Sequence, residues 1–102
     1  MPPHPMTRAE ISRSRLVENF ARLRSLAQRT SYGDRCDLLA VVKADAYGHG
    51  IVLCAPWLAE ADAAWLGVTS VTEGVTARQL CNQARILVMS GLQPGEADAL
   101  LD

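Results

Sequence analysis

One lysine, one tyrosine and one histidine fall close together at Lys43, Tyr47 and His49. They sit in the stretch Ala40-Val41-Val42-Lys43-Ala44-Asp45-Ala46-Tyr47-Gly48-His49-Gly50, where an apolar run ends on the lysine and leads into a turn of small residues. An apolar run without alternation reads as a strand covered on both faces, as in a parallel sheet. Burying an ammonium at the end of such a strand is costly. Either the head snorkels to water along its own stem, or the charge is used. A partly desolvated lysine has a lowered pKa and can attack an aldehyde. From spacing alone the two readings are equally good. Tyr47 shifts the balance, because a phenol four residues on can donate to a phosphate oxygen near the imine. His49 can in principle act as a general acid or base. Flanked by glycines and without a carboxylate partner at useful spacing, it reads better as structural. Asp45 reads as a turn former bonding nearby backbone. Gly48 and Gly50 free the loop backbone for close approach.

Periodicity gives the elements that must position these residues. Residues 7–11 form a short candidate strand, and Ser12 or Ser14 can cap the next helix. Over residues 15–29, Leu16, Phe20, Leu23 and Ala27 recur at helical spacing. Arg15, Glu18, Arg22 and Arg24 then take the wetter faces, a solvated surface rather than a phosphate site. Tyr32-Gly33-Asp34 signals a turn. Residues 37–43 are the first clear strand. Residues 51–61 read as a helix, with Pro56 at the first position of its main segment. Residues 65–69 make a second buried strand, and Ser70-x-x-Glu73 fits a capping box at the start of a helix reaching Asn82. Gly74 inside that helix reads as a place where a larger side chain would collide. Residues 86–89 form a third buried strand, Ser90-Gly91 turns, and Pro94 opens a last helix with Glu96 and Asp98 near its positive end. Strand and helix alternate throughout, which means α/β with right-handed crossovers. In an α/β barrel the working residues sit at the carboxyl ends of the strands, the position Lys43 occupies.

Composition bounds the function. The 102 residues suit one small domain, and about half of them are apolar. A net charge of −1 argues against a nucleic-acid partner. Cys36, Cys54 and Cys81 are odd in number and form no Cys-x-x-Cys pair, so free thiols in a reducing cytosol are expected. No clustered ligand set suggests a metal. The N-terminus lacks the pattern of a signal peptide, and no apolar run approaches the ~20 residues that span a membrane. A cytoplasmic, soluble chain is expected. Its last helical pattern stops at Asp102 without a cap, which reads as a truncated chain.

Residues 40–50 resemble, without departure, the pyridoxal phosphate attachment motif of alanine racemases. Leu66-Gly67-Val68-Thr69-Ser70-Val71-Thr72-Glu73-Gly74 resembles that family's second barrel strand and the helix after it, and Ile86-Leu87-Val88-Met89-Ser90-Gly91 resembles its third strand. The opening strand and helix resemble the family's beginning. The resemblance implies the N-terminal portion of a TIM-like (β/α)8 barrel over residues 1–102, with about three barrel strands, an N-terminal strand and helix, and no C-terminal β domain. It implies pyridoxal 5'-phosphate as cofactor. Lys43 then matches the catalytic lysine, which forms the internal aldimine and serves as one of two acid/base groups. Tyr47 matches the tyrosine on the cofactor phosphate, and Met89 an apolar position near the cofactor ring. Alanine as substrate, D-alanine supply for cell-wall precursors, and a homodimer are implied as well. The family's second acid/base group is a tyrosine from the C-terminal domain of the partner subunit, and nothing in this sequence matches it. Tyr32, in an early turn, is not a candidate. The later phosphate-binding loops and the arginine facing the pyridine nitrogen are also unmatched. The chain alone is therefore expected to lack full activity. An inactive remnant, a cofactor-binding fragment, and a racemase for another small amino acid such as serine stay open. A doubly wound nucleotide-binding module is disfavoured, because no Gly-x-Gly-x-x-Gly comes after a strand.

Overall fold

A computed structural model describes residues 7–29 and 36–101. The turn expected at Tyr32-Gly33-Asp34 lies outside them. The elements are α1 (Arg13–Gln28), β1 (Leu39–Val41), α2 (Lys43–Tyr47), α3 (Ile51–Glu60), β2 (Trp65–Val68), α4 (Val71–Leu80), β3 (Arg85–Val88) and α5 (Ala97–Leu101). The three strands pair in parallel in the order β1-β2-β3. Leu39 lies opposite Trp65 and Trp65 opposite Arg85; Val41 pairs with Gly67 and Gly67 with Leu87. The α/β rhythm expected of a barrel's first strands is present.

No strand forms over residues 7–11. A strand needs a neighbour to take its backbone hydrogen bonds, and β1 pairs only with β2 among the described residues. Ser12 rather than Ser14 caps α1, its side chain accepting from the Arg15 N–H. The buried stripe of α1 also differs from the expected one. Phe20 is buried, Leu16 and Val17 pack against the core, and Leu23 is exposed. Arg24 takes the inner position instead. Its guanidinium lies 5.3 Å from the Phe20 ring centroid, and Nη1 donates to the Ala61 carbonyl at 2.8 Å. That bond satisfies a carbonyl at the end of α3, where helices leave acceptors free. Arg13 and Glu60 add an exposed ion pair between the same two helices.

The sheet has one covered and one open face. Val42, Leu66 and Val68 are almost wholly buried, and Ala40, Ile86 and Val88 pack beside them against the helices. Alternation places Leu39, Val41, Trp65, Gly67, Arg85 and Leu87 on the other face. There Leu39 is 38% and Leu87 44% exposed. Burial on both faces, expected for all three strands, therefore holds only for the end of central β2. Among the described residues, α1, α3 and α4 supply the side chains that share this core with Val42, Leu66 and Val68.

Three helix details depart from expectation. Pro56 lies inside α3, which already starts at Ile51. The missing N–H of Pro56 falls opposite the carbonyl of exposed Val52, where water can serve. Gly74 is buried without crowding: a Cβ there would meet Val68, Ile86 and Val88 methyl carbons at 3.6–3.7 Å, ordinary contact distance. Pro94 sits in a turn before α5, with Gly95 next at φ +84°, and the helix begins only at Ala97.

Candidate functional site

Lys43 comes directly after the last ladder bond of β1, in which the Val42 N–H donates to the Gly67 carbonyl at 2.8 Å. From there the chain winds left-handed. Ala44 (φ 52°, ψ 51°), Asp45 (φ 56°, ψ 45°) and Ala46 (φ 55°, ψ 47°) lead to Tyr47 at φ 56°. Each L-residue there costs about 1–2 kcal/mol relative to the right-handed form. A run of such residues persists only where surrounding bonds over-determine it.

Those bonds are visible. The Ala46 N–H donates to the Val42 carbonyl at 2.9 Å, and the Gly50 N–H to the Asp45 carbonyl at 2.9 Å. Asp45 Oδ1 accepts from the Ile51 N–H at 2.8 Å, so the turn former also ties the loop to the start of α3. His49 Nδ1 is 2.9 Å from the Ala46 carbonyl, within hydrogen-bond distance of the loop backbone. Gly48 (φ +85°) and Gly50 (φ +94°) let the backbone leave the turn.

The left-handed winding brings Lys43 and Tyr47 together. Lys43 Nζ lies 5.9 Å from the Tyr47 ring centroid, and Tyr47 is 59% exposed. Lys43 is half-buried, enters no ion pair among the described residues, and is the sole lysine of the sequence. An accessible primary amine with a phenol beside it fits an aldehyde cofactor that also carries a phosphate. Met89 comes just after β3 at the same end of the sheet, its N–H donating to the Val68 carbonyl at 2.8 Å. Its side chain is 42% exposed rather than plain core. The central strand separates it from Lys43, about 10 Å at the usual strand spacing.

A fourth residue of this site is marked in the sequence only as a helix cap. Glu73, in the first turn of α4, accepts from the Ala44 N–H at 2.9 Å through Oε2, and from the Thr69 N–H at 2.8 Å and Thr69 hydroxyl at 2.7 Å through Oε1. The hydrogen bonds from the Thr69 hydroxyl, the Thr69 N–H and the Ala44 N–H, in that order, hold its carboxyl below the usual range; partial burial opposes them. The capping box is thus half formed. Ser70 Oγ accepts from the Glu73 N–H at 3.1 Å, but the carboxylate reaches chiefly to Thr69 and the lysine loop. The Ser70-x-x-Glu73 pattern signalled the residue, though not its second partner.

Other groups stay outside the chemistry. Burial, then the charge of Asp45, pushes the Cys54 thiol up, away from a reactive thiolate. Cys36, Cys54 and Cys81 are free. A groove of about 540 Å³ between α1 and β1 touches Ala46, Tyr47 and His49 but not Lys43, and is lined mainly by apolar residues. Among the described residues no group of His, Cys, Asp or Glu could hold a metal, and no helix is long and apolar enough to cross a membrane.

Residues 11–102 match the family model described as alanine racemase, N-terminal domain. The chain is 55% identical over 64 residues to an alanine racemase of Symbiobacterium thermophilum, covering 63% of this chain and 17% of that one. It is 38% identical over 92 residues to an alanine racemase of a Synechocystis species, covering 89% of this chain and 23% of the relative. It is 35% identical over 99 residues to an alanine racemase of Shewanella loihica, covering 96% and 25%. The chain thus spans about a fifth of the length of these curated relatives.

Proposed function

Because the chain belongs to the alanine racemase family through its N-terminal domain, we propose that it holds pyridoxal phosphate at Lys43 and serves the interconversion of L-alanine and D-alanine. The observation that carries the reading is the sequence's sole lysine held beside Tyr47 at the carboxyl end of a parallel strand. When bound, the cofactor supplies the electron sink that makes the substrate α-proton removable. Lys43 Nζ supplies the amine that holds the cofactor. With cofactor bound, the Lys43 amine would be the group placed to take or return the α-proton on one face. The Tyr47 hydroxyl would donate to the cofactor phosphate, a charge-assisted bond. Met89 offers an apolar wall for the ring.

Inversion needs an acid/base group on the opposite face as well. By family resemblance that group is a tyrosine from the C-terminal domain of a partner subunit, so the working enzyme is a homodimer, located in the cytoplasm, and this polypeptide alone racemises little. By resemblance, the Tyr47-Gly48-His49-Gly50 sequel to the lysine favours alanine racemase over other members of the pyridoxal phosphate barrel superfamily, and a racemase for another small amino acid such as serine stays the alternative.

The test is direct because Lys43 competes only with the N-terminal amine. The chain is incubated with pyridoxal phosphate, reduced with borohydride, and its peptides mapped. The expected product carries the label on Lys43, and Lys43→Ala removes it. Tyr47→Phe weakens retention about tenfold, as loss of a hydrogen bond to a charged group does. Labelling that is unchanged in Lys43→Ala would overturn the assignment. Robust racemisation of alanine by the 102-residue chain alone would overturn the need for an acid/base group from outside these residues.

A further inference from the structure

The geometry points to Glu73 as a positioning residue for Lys43, acting through the peptide bond on the C-terminal side of the lysine. The inference rests on the proposal that Lys43 holds the cofactor. The N–H that Glu73 accepts at 2.9 Å is that of Ala44, so the carboxylate holds the peptide plane joining Lys43 to Ala44. Its other oxygen holds the Thr69 N–H and hydroxyl. Thr69 is in turn tied to β3, because its carbonyl accepts from the Ser90 hydroxyl. A belt of hydrogen bonds therefore crosses the carboxyl ends of all three strands, from Ala44 through Glu73 and Thr69 to Ser90, next to Met89. Its two ends are anchored on the residues immediately after Lys43 and Met89.

The charge and the number of acceptors both matter. Glu73 takes up three donors from two loops, two of them backbone N–H groups that no hydroxyl rotation can redirect. A glutamine in its place keeps the shape but turns one acceptor oxygen into a donor. One backbone N–H then faces another donor. The left-handed turn at Ala44 to Tyr47 is strained without such support, so loosening the Ala44 bond frees the lysine stem as well as the loop. A residue that merely caps α4 would do neither, because its bonds would stay within the helix's own first turn.

The experiment compares the 102-residue chain with Glu73→Ala, Glu73→Gln and Ser70→Ala. Folding is monitored by circular dichroism and thermal melting. Hydrogen exchange of the Ala44 amide and borohydride trapping of pyridoxal phosphate on Lys43 are then measured per folded molecule. The expected result is about tenfold faster Ala44 exchange and about tenfold less trapping in Glu73→Ala, the effect of losing a hydrogen bond to a charged group. Glu73→Gln falls between the two. Ser70→Ala melts earlier, because its bond to the Glu73 N–H caps α4, yet traps cofactor as the parent does. If Glu73→Ala does not fold, Glu73→Gln carries the comparison alone. Unchanged trapping and Ala44 exchange in folded Glu73 variants would overturn the positioning role while leaving the cofactor site intact. Equal losses in Ser70→Ala would reduce Glu73 to a helix cap. Absence of Lys43 trapping in the parent chain would instead fault the cofactor reading, and Ala44 exchange alone would then decide whether Glu73 holds the loop.

Discussion

At the scale of single residues, backbone angle rather than space decides what a glycine is for. A Cβ on Gly48 would meet nothing within 4 Å, yet its φ of +85° is one that side chains rarely adopt. Gly48→Ala is expected to lower stability by about 1–2 kcal/mol. Gly74 is the reverse case. It sits in a helix interior, and a Cβ would find ordinary contacts at 3.6–3.7 Å with Val68, Ile86 and Val88. Gly74→Ala is therefore expected to raise stability by about 0.5–1 kcal/mol, by gain in helix propensity and reduced freedom of the unfolded chain. Urea midpoints of the two variants check both signs. A destabilised Gly74→Ala would mean that the helix face is more crowded than these distances allow.

At the scale of elements, much of the architecture could be read from the sequence. Apolar runs marked β1, β2 and β3, and Ser70 marked the start of α4, because burial and capping leave local traces. The left-handed turn left almost none. Ala44, Asp45, Ala46 and Tyr47 contain no glycine, and among them only Asp45 has a local leaning towards φ near +55°. Bonds from outside impose it, including those to Asp45, Glu73 and Val42. The inner position of Arg24 was hidden for a similar reason, since its partner Ala61 lies at the end of another helix. Lys43 and Tyr47 could be found because their spacing is local, whereas the reach of Glu73 to Ala44 spans 29 residues. That reach also sets a pH dependence. The folded carboxyl titrates below its usual value of 4.5, so as pH falls the unfolded chain takes up this proton first. The contribution of Glu73 is thus complete above that value and is lost as pH falls through the depressed folded value. Glu73→Gln is expected to be less stable than the parent near neutral pH, with the gap closing below about pH 4. Urea titrations at several pH values measure this. A gap that persists unchanged into acid would mean that the carboxylate charge is not what holds the loops.

At the scale of the molecule, the sheet is covered on one side only among the described residues. The structure is 20 Å across its thinnest axis, and its radius of gyration is 15.8 Å, above the ~13 Å typical of a compact domain this long. Leu39 and Leu87 are exposed on the open face, while Arg85 lies 5.5 Å from the Trp65 ring centroid and shields part of it. In a closed barrel that face turns inward and is filled by side chains from other strands. In the isolated chain it meets water, and large exposed apolar patches promote association. Strands β1 and β3 also present edges that can template further pairing. The 102-residue chain is therefore expected to bind a hydrophobic dye such as anilinonaphthalene sulfonate and to self-associate as concentration rises. Leu39→Lys with Leu87→Lys should reduce both effects while leaving Lys43 trapping in place, because these side chains point away from the buried helix-facing core. Dye fluorescence and sedimentation velocity provide the measurements. Dye binding that survives the double substitution would locate the sticky surface away from Leu39 and Leu87. Loss of trapping along with dye binding would show that the open face and the lysine site are coupled, as they would be if cofactor binding required another chain to cover the sheet.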